Sequence, residues 1–295
     1  MRRRSGFTVF DLLVLLAILG ILLGLLMPAI ARVRQAAVRM VSQNNMKQIG
    51  ISMHANYDVN RQFPSLKDGN GYAITVSLLP YLEQQNLYQL IQNNGIKVAE
   101  KTRLQLFISP LDPVAGRSEH TTPMNYLFNA GSKYSMKDND GIVYENSKVK
   151  FNDIPDGTSL TLMTAETLVG DFSKKAVDVA RQHIAFKKKA LRNAGPKSGL
   201  KEWKASQNIV GDRCSRWYDP EFLQCTFTMT RKINDPRPDV NYGGAGGLSG
   251  FRTNINGTNI GMCDGSVRFI NQNVSFEVLR KLATRSGKEA VPFDF

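Results

Sequence analysis

Residues 2–35 read RRRSGFTVFDLLVLLAILGILLGLLMPAIARVRQ, and one side chain among them looks misplaced. From Leu12 to Ala31 there is no charged residue, which matches the roughly 20 residues a helix needs to cross a bilayer. Arg2, Arg3 and Arg4 precede the run. The excess of positive charge on the cytoplasmic side predicts that this end stays in the cytoplasm and the chain beyond the span lies outside it. Asp11 sits at the head of the run, and a carboxylate at the centre of a span costs on the order of 2.5–3.5 kcal/mol, less toward the interface. Two general readings are open. Ala29-Ile30-Ala31 offers an A-x-A cleavage site for an ordinary secretory signal, and an uncut segment would be a plain signal anchor. The run is longer than a usual signal core, and neither reading gives Asp11 a task.

Pro28 removes a backbone donor and predicts a bend or local melting of the helix. Beyond it, residues 32–59 continue as an amphipathic half. Met46, Ile49, Met53 and Tyr57 recur at helical spacing, a stripe suited to packing on a sheet, with His54 beside it as a core histidine. From residue 60 onward the pattern turns to short strands and turns. YAITVSLL, LQLFI, MNYLF, GIVYE, SLTLMTAE and EFLQCTFTMT read as strands. PYLEQQNLYQLIQNNG reads as a helix with Pro80 in its first turn, Leu87, Leu90 and Ile91 inward, and Gly95 as its stop. KKAVDVARQHIAFKKKALRN reads as a basic helix and SFEVLRKLAT as a short closing one. In NIGMCDGSVRFI, Asp264-Gly265 signals a two-residue hairpin, which would set Met262 opposite Val267 and Ile260 opposite Phe269. The expected class is α+β. A long N-terminal helix, membrane half 7–31 and amphipathic half 32–59, packs on an antiparallel sheet head at 60–295 that carries short extra helices.

SGFTVFDLL resembles the type IV prepilin signal, which a dedicated peptidase cuts after the glycine before methylating the new N-terminal phenylalanine. The resemblance makes residues 1–6 a leader ending at Gly6, with Phe7 as the mature N-terminus. It places Asp11 at the fifth mature position, where the family usually has Glu, and Pro28 at the twenty-second, where proline is common. Asp11 would then meet the charged amine of Phe7 on a neighbouring subunit, and a salt bridge in hydrocarbon is barely screened. HANYDVNRQFPS, LLPYLEQQNLYQLI, NYLFNAG, DIPDGTSLTLMTAE and GMCDGSVRFI extend the likeness along nearly the whole chain. Together they resemble a large bacterial family with a prepilin-type cleavage/methylation segment, a pseudopilin-like head and a C-terminal His-x9-Asp-Gly motif. Here the histidine position of that motif is Asn254, ahead of Asp264 and Gly265. The family's CPSDP is SPLDP, with Ser109 in the cysteine place. The resemblance implies a pilin-like, fold-typical subunit of a type IV pilus-like or type II secretion pseudopilus-like structure. Its partners would be the prepilin peptidase, other pilin-like subunits met through the N-terminal helix, and the inner membrane.

The chain has 295 residues and a formal charge of +13, or +10 without the three leader arginines. That basic balance attracts polyanions. Lys187, Lys188 and Lys189 mark a possible anion-binding surface, so the alternative function is an anchored extracytoplasmic binding protein for DNA or another anionic polymer. No G-x-S-x-G elbow, Walker loop or H-E-x-x-H occurs, and His54, His120 and His183 are scattered. No enzymatic role and no cofactor are therefore expected. Asp138, Asp140 and Glu145 surround a glycine, as calcium ligands do in the head loops of major pseudopilins. The EF-hand register, however, falls on Met136 and Ser147, so a hairpin turn is the default. No Cys-x-x-Cys pair supports a metal site. Cys214 and Cys225 would either close a short disulfide loop outside the cytoplasm or stay as buried thiols, beside Cys263.

Overall fold

A computed structural model describes residues 9–115 and 121–288. The first element is helix α1 (Val9–Asn60). The chain divides into two compact units, Met1–Val41 and Ser42–Phe295. In the first unit the apolar residues of α1 from Val9 to Ile30 are exposed. That segment is long and apolar enough to cross a membrane, and is a candidate anchor. Helical structure runs unbroken through Pro28, so the expected local melting does not occur. Proline lacks the N–H that would reach the carbonyl one turn back, and that carbonyl belongs to Gly24, which adds no side chain to the crowding.

In the second unit the stripe expected from spacing is the core-facing side of α1. Met46, Ile49 and Met53 are fully buried and Tyr57 packs at their margin. Next come the one-turn helix α2 (Ile74–Leu78), a 3-10 turn (Leu79–Leu82) and α3 (Gln85–Asn94). Nine strands and a short helix follow: β1 (Tyr126–Gly131), β2 (Leu162–Glu166), β3 (His183–Phe186), α4 (Leu200–Lys204), β4 (Ile209–Val210), β5 (Thr226–Thr228), β6 (Asp239–Tyr242), β7 (Gly247–Leu248), β8 (Gly257–Met262) and β9 (Val267–Asn271). The last helix is α5 (Phe276–Ala283), capped by Ser275, whose Oγ accepts from the Val278 N–H at 3.2 Å.

The larger sheet has the order β5-β1-β2-β8-β9 and a smaller one the order β4-β3-β6-β7. Most neighbours are antiparallel, as expected for an α+β head, while β1/β5 and β3/β6 run parallel. Strands β1, β2 and β8 are buried along their whole length. Tyr126, Phe128 and Ala130 on one face of β1 join the core that holds the α1 stripe. Leu127 faces the other way, into a second core with Ile260, Met262, Leu279 and Leu282. A bulge between Leu162 and Thr164 breaks the period-two alternation of β2. The helix approaches the sheet closely at glycines: a Cβ on Gly261 would stand 2.4 Å from Thr164 Oγ1 and 3.3 Å from Met46 Sδ.

Several local expectations are overturned by distant partners. YAITVSLL contains α2 instead of a strand, with Ile74, Thr75, Val76 and Leu78 all buried, so core packing overrides the β-branched propensity. LQLFI is a 3-10 turn that buries Phe107. GIVYE is no strand because the N–H groups of Ile142 and Val143 both donate to the single Asn129 carbonyl, at 3.0 and 2.8 Å, leaving no ladder to extend. The long helix expected at residues 80–94 is broken at Glu83, which takes a left-handed backbone, and Leu90 faces solvent while Leu87 and Ile91 are buried. The basic segment is not a helix. It holds β3, paired in parallel with β6 more than fifty residues away, and a 3-10 turn (Lys188–Asn193).

The hairpin at Asp264-Gly265 forms, but with a register one residue off the expected one. Gly261 pairs with Val267 and Asn259 with Phe269. Gly265 has φ +79° while Asp264 stays out of the positive region, so the turn is not of the double-left-handed kind. A three-residue loop results, closed by Gly265 N–H to Met262 O at 2.9 Å and Met262 N–H to Ser266 O at 2.8 Å. Gly265→Ala is expected to lower stability by about 1–2 kcal/mol in urea unfolding, and Gly265→Asn by clearly less, because asparagine tolerates this backbone.

Candidate functional site

The side chains best placed for recognition lie on a basic face built from three segments. One is the loop after β1, residues 132–137, whose shape is set by Asp140. Its carboxylate accepts from the Ser132 backbone N–H at 2.5 Å and the Ser132 hydroxyl at 2.9 Å. The second is the 3-10 turn Lys188–Asn193 with the loop that follows, and the third is the start of α5. Lys188, Lys189, Arg192 and Lys137 ring a depression of about 350 Å³ with a single carboxylate, Glu145. Lys187 precedes them, exposed. Two of the three lysines singled out in sequence are thus brought into one cation cluster, joined by Lys137 and Arg192 from outside their run. A neighbouring cavity of about 530 Å³ lies against residues 132–134 of the same loop.

Behind this face stands a set of buried ions that sequence reasoning missed. Asp239 accepts from Arg213 Nη1 at 2.7 Å and from Arg252 Nη2 at 2.5 Å, with all three side chains fully buried. Arg213 also reaches Thr167 Oγ1 at 3.0 Å, and Arg252 donates to the carbonyls of Asp235 and Arg237. Arg181 pairs with Asp112 at 2.9 Å. The same aspartate accepts from Asn125 Nδ2 at 3.0 Å and the Val169 N–H at 2.7 Å. Asp112 is the aspartate of SPLDP, so that motif is an internal brace in this chain. Its Ser109 hydroxyl donates to Glu166, a carboxyl that burial raises above the ordinary glutamate range. Arginines spaced singly in the segments between strands carry no local signal of burial, which is why they were not foreseen. A better cue was the unusual density of Asp and Arg between residues 212 and 239.

The remaining expected sites fall as follows. Gly6 and Phe7 lie outside the described residues. Asp11 is in the first turn of α1 and Pro28 is inside that helix. Asn254 faces a nearly closed gap beside Asp112 and Glu166, while Asp264 and Gly265 form the hairpin loop, so the residues of the C-terminal motif do not converge. His54 is half-buried at the edge of the core, packing on Phe63 and Phe151 with its Nε2 2.8 Å from the Cys263 carbonyl oxygen. Cys214, Cys225 and Cys263 are free and buried, and burial pushes the Cys214 thiol up to about 11. Asp138 adopts φ 50° at a turn, Asp140 braces Ser132, and Glu145 stands with the lysines. Among the described residues no group of three His, Cys, Asp or Glu side chains is positioned for a metal ion.

Removing one partner of a buried ion group strands the others in low dielectric. Asp239→Asn is therefore expected to cost about 3–5 kcal/mol in urea unfolding. A second expectation concerns pH. His183 is buried and its pKa is lowered to about 4, mainly by burial, with Asp212 opposing. The unfolded chain takes up a proton near 6.5, so this contribution is full above that pH and is lost as pH falls toward 4. Thermal scans should show the acid loss shrinking in His183→Gln by no more than about 1.4 kcal/mol per pH unit. Glu166 acts with the opposite sign. Its raised folded pKa makes stability fall as pH climbs out of the ordinary glutamate range, and Glu166→Gln should flatten that limb.

A family model described as "Protein of unknown function (DUF1559)" matches residues 31–277, most of the chain, and begins just after the apolar N-terminal run. No curated protein and no solved structure matches.

Proposed function

The chain belongs to the family of proteins of unknown function DUF1559, and from that premise we propose that it is a membrane-anchored, pilin-like structural subunit. In this reading the prepilin peptidase cuts between Gly6 and Phe7. The N-terminal helix holds the subunit in the inner membrane, with the head outside the cytoplasm, and neighbouring copies or related subunits assemble through that helix into a pilus-like or pseudopilus-like structure. The observation that carries the proposal is the changing character of one 52-residue helix. Its first part exposes an apolar surface fit for lipid or for other helices, and its last part is built into the core of the head. An ordinary anchor needs only the first property, whereas a subunit that transmits helix packing to a head needs both.

Asp11 has a role in this assembly. A carboxylate in the span selects the register at which an amine from a neighbour can reach it, because the pair is weakly screened there. The expected mature N-terminus is N-methyl-Phe7, read by mass spectrometry of the membrane fraction. Gly6→Ala should leave the leader in place, and Asp11→Ala should remain membrane-bound while losing cross-links between copies. A mature chain beginning just after Ala31, or one that retains Met1 in wild-type cells, would overturn the reading.

A further inference from the structure

The cavity of about 530 Å³ between the loop after β1, Pro196 and the start of α5 stands apart from the N-terminal helix and its proposed role. Three cations line it, Lys133, Arg237 and Arg280, and no carboxylate does. Two aromatic side chains, Tyr134 and Phe276, share the wall, with Phe276 partly open to solvent. The charge behind the wall has the same sign. Arg213, Arg231 and Arg252 gather there, and together with Arg237 of the wall they are answered by two carboxylates, Asp235 and Asp239. Arg231 is fully buried and is held by backbone carbonyls, with Nη2 donating to Ser198 O at 3.1 Å and Nη1 reaching toward Pro196 O at 3.5 Å. Arg237 donates to the same Pro196 carbonyl at 3.0 Å while it pairs with Asp235 at 2.6 Å. The Pro196 rim is thereby tied to the buried arginines.

The geometry points to a binding site for an acidic sugar. Its ring lies against Tyr134 and Phe276, and its carboxylate or phosphate faces Arg280, Lys133 and Arg237. The three buried guanidinium groups outnumber the two carboxylates, Asp235 and Asp239, and water screens charge poorly beneath the surface, so an anion in the cavity is stabilised beyond its direct contacts. Aromatic faces with a few polar groups fix a ring and its orientation. The cavity is sized for one or two sugar units and not for a duplex. Lys133 and Arg280 are both exposed, so neutralising them leaves the fold intact, whereas Arg237 is part of the brace.

Titration calorimetry of the full chain in detergent tests the site with four probes: glucuronate, glucose 6-phosphate, glucose and inorganic phosphate. The expected result is saturable binding of glucuronate, glucose 6-phosphate or both, with glucose and inorganic phosphate each at least about tenfold weaker, since a charge-assisted hydrogen bond is worth roughly that factor. Which acid binds better separates a carboxylate ligand from a phosphorylated one. Affinity should fall at about 0.5 M salt. The variant Lys133→Gln/Arg280→Gln, with an unchanged far-ultraviolet spectrum, should bind about tenfold or more weakly. The proposal is overturned if neither acid binds up to about 10 mM, if glucose or inorganic phosphate binds as well as the acids, or if the double variant binds them unchanged. None of these outcomes bears on processing at Phe7, which is read separately.

Discussion

One buried carboxyl group holds the head together where the helix meets the sheet. Glu166, at the end of β2, accepts from the Ser109 hydroxyl and from Asn259 Nδ2 at 2.7 Å. The same Asn259 amide lies 3.3 Å from Ser42 Oγ on α1, and Ser42 is 3.1 Å from Tyr126 Oη on β1. Four elements and the SPLDP turn thus share one polar cluster inside an apolar core. Burying such groups is costly unless each finds a partner. The apolar stripe of α1 can slide along a sheet at small cost, whereas the cluster is satisfied in one register only. Burial and the nearby Glu166 both raise the Tyr126 phenol, so it remains a neutral hydroxyl, which accepts from Asn45 Nδ2.

The second organising feature is the exchange of charge between surface and interior. The head's basic character is not only a solvated coat. Three arginines are fully buried: Arg213 and Arg252 meet on Asp239 of the smaller sheet, and Arg231 is held by the carbonyls of Pro196 and Ser198. Such groups contribute little net stability compared with apolar packing, but each is intolerant of losing its partner. The composition is basic, and the fold brings Lys137, Lys188, Lys189 and Arg192 around one depression and Lys133, Arg237 and Arg280 around another.

Much of the architecture was legible in the chain. The apolar run, the Met46–Tyr57 stripe, the short closing helix and Gly95 as a stop are governed by interactions within a few residues, where spacing and backbone preference act directly. The hairpin at Gly265 was legible in place but not in register. Whether one or two residues of a turn take positive φ depends on how the strands are held, here with His54 and Gly50 of α1 against the loop. YAITVSLL and the basic segment were misread for a related reason. Strand propensity in the first yielded to core burial, and the second found its ladder partners in β4 and β6.

The sequence by itself determined that the chain carries a span-length apolar helix, continues it as a core-packing helix, and later places a hairpin followed by a short helix. These follow from local periodicity and from the cost of leaving apolar surface in water. Only the tertiary structure decided the second sheet, the sharing of Asp239 by two arginines, and the meeting of Lys133, Arg237 and Arg280 around one cavity. Ladder bonds and counter-charges come from residues far apart along the chain, and no local pattern encodes which distant group will satisfy a given donor or charge.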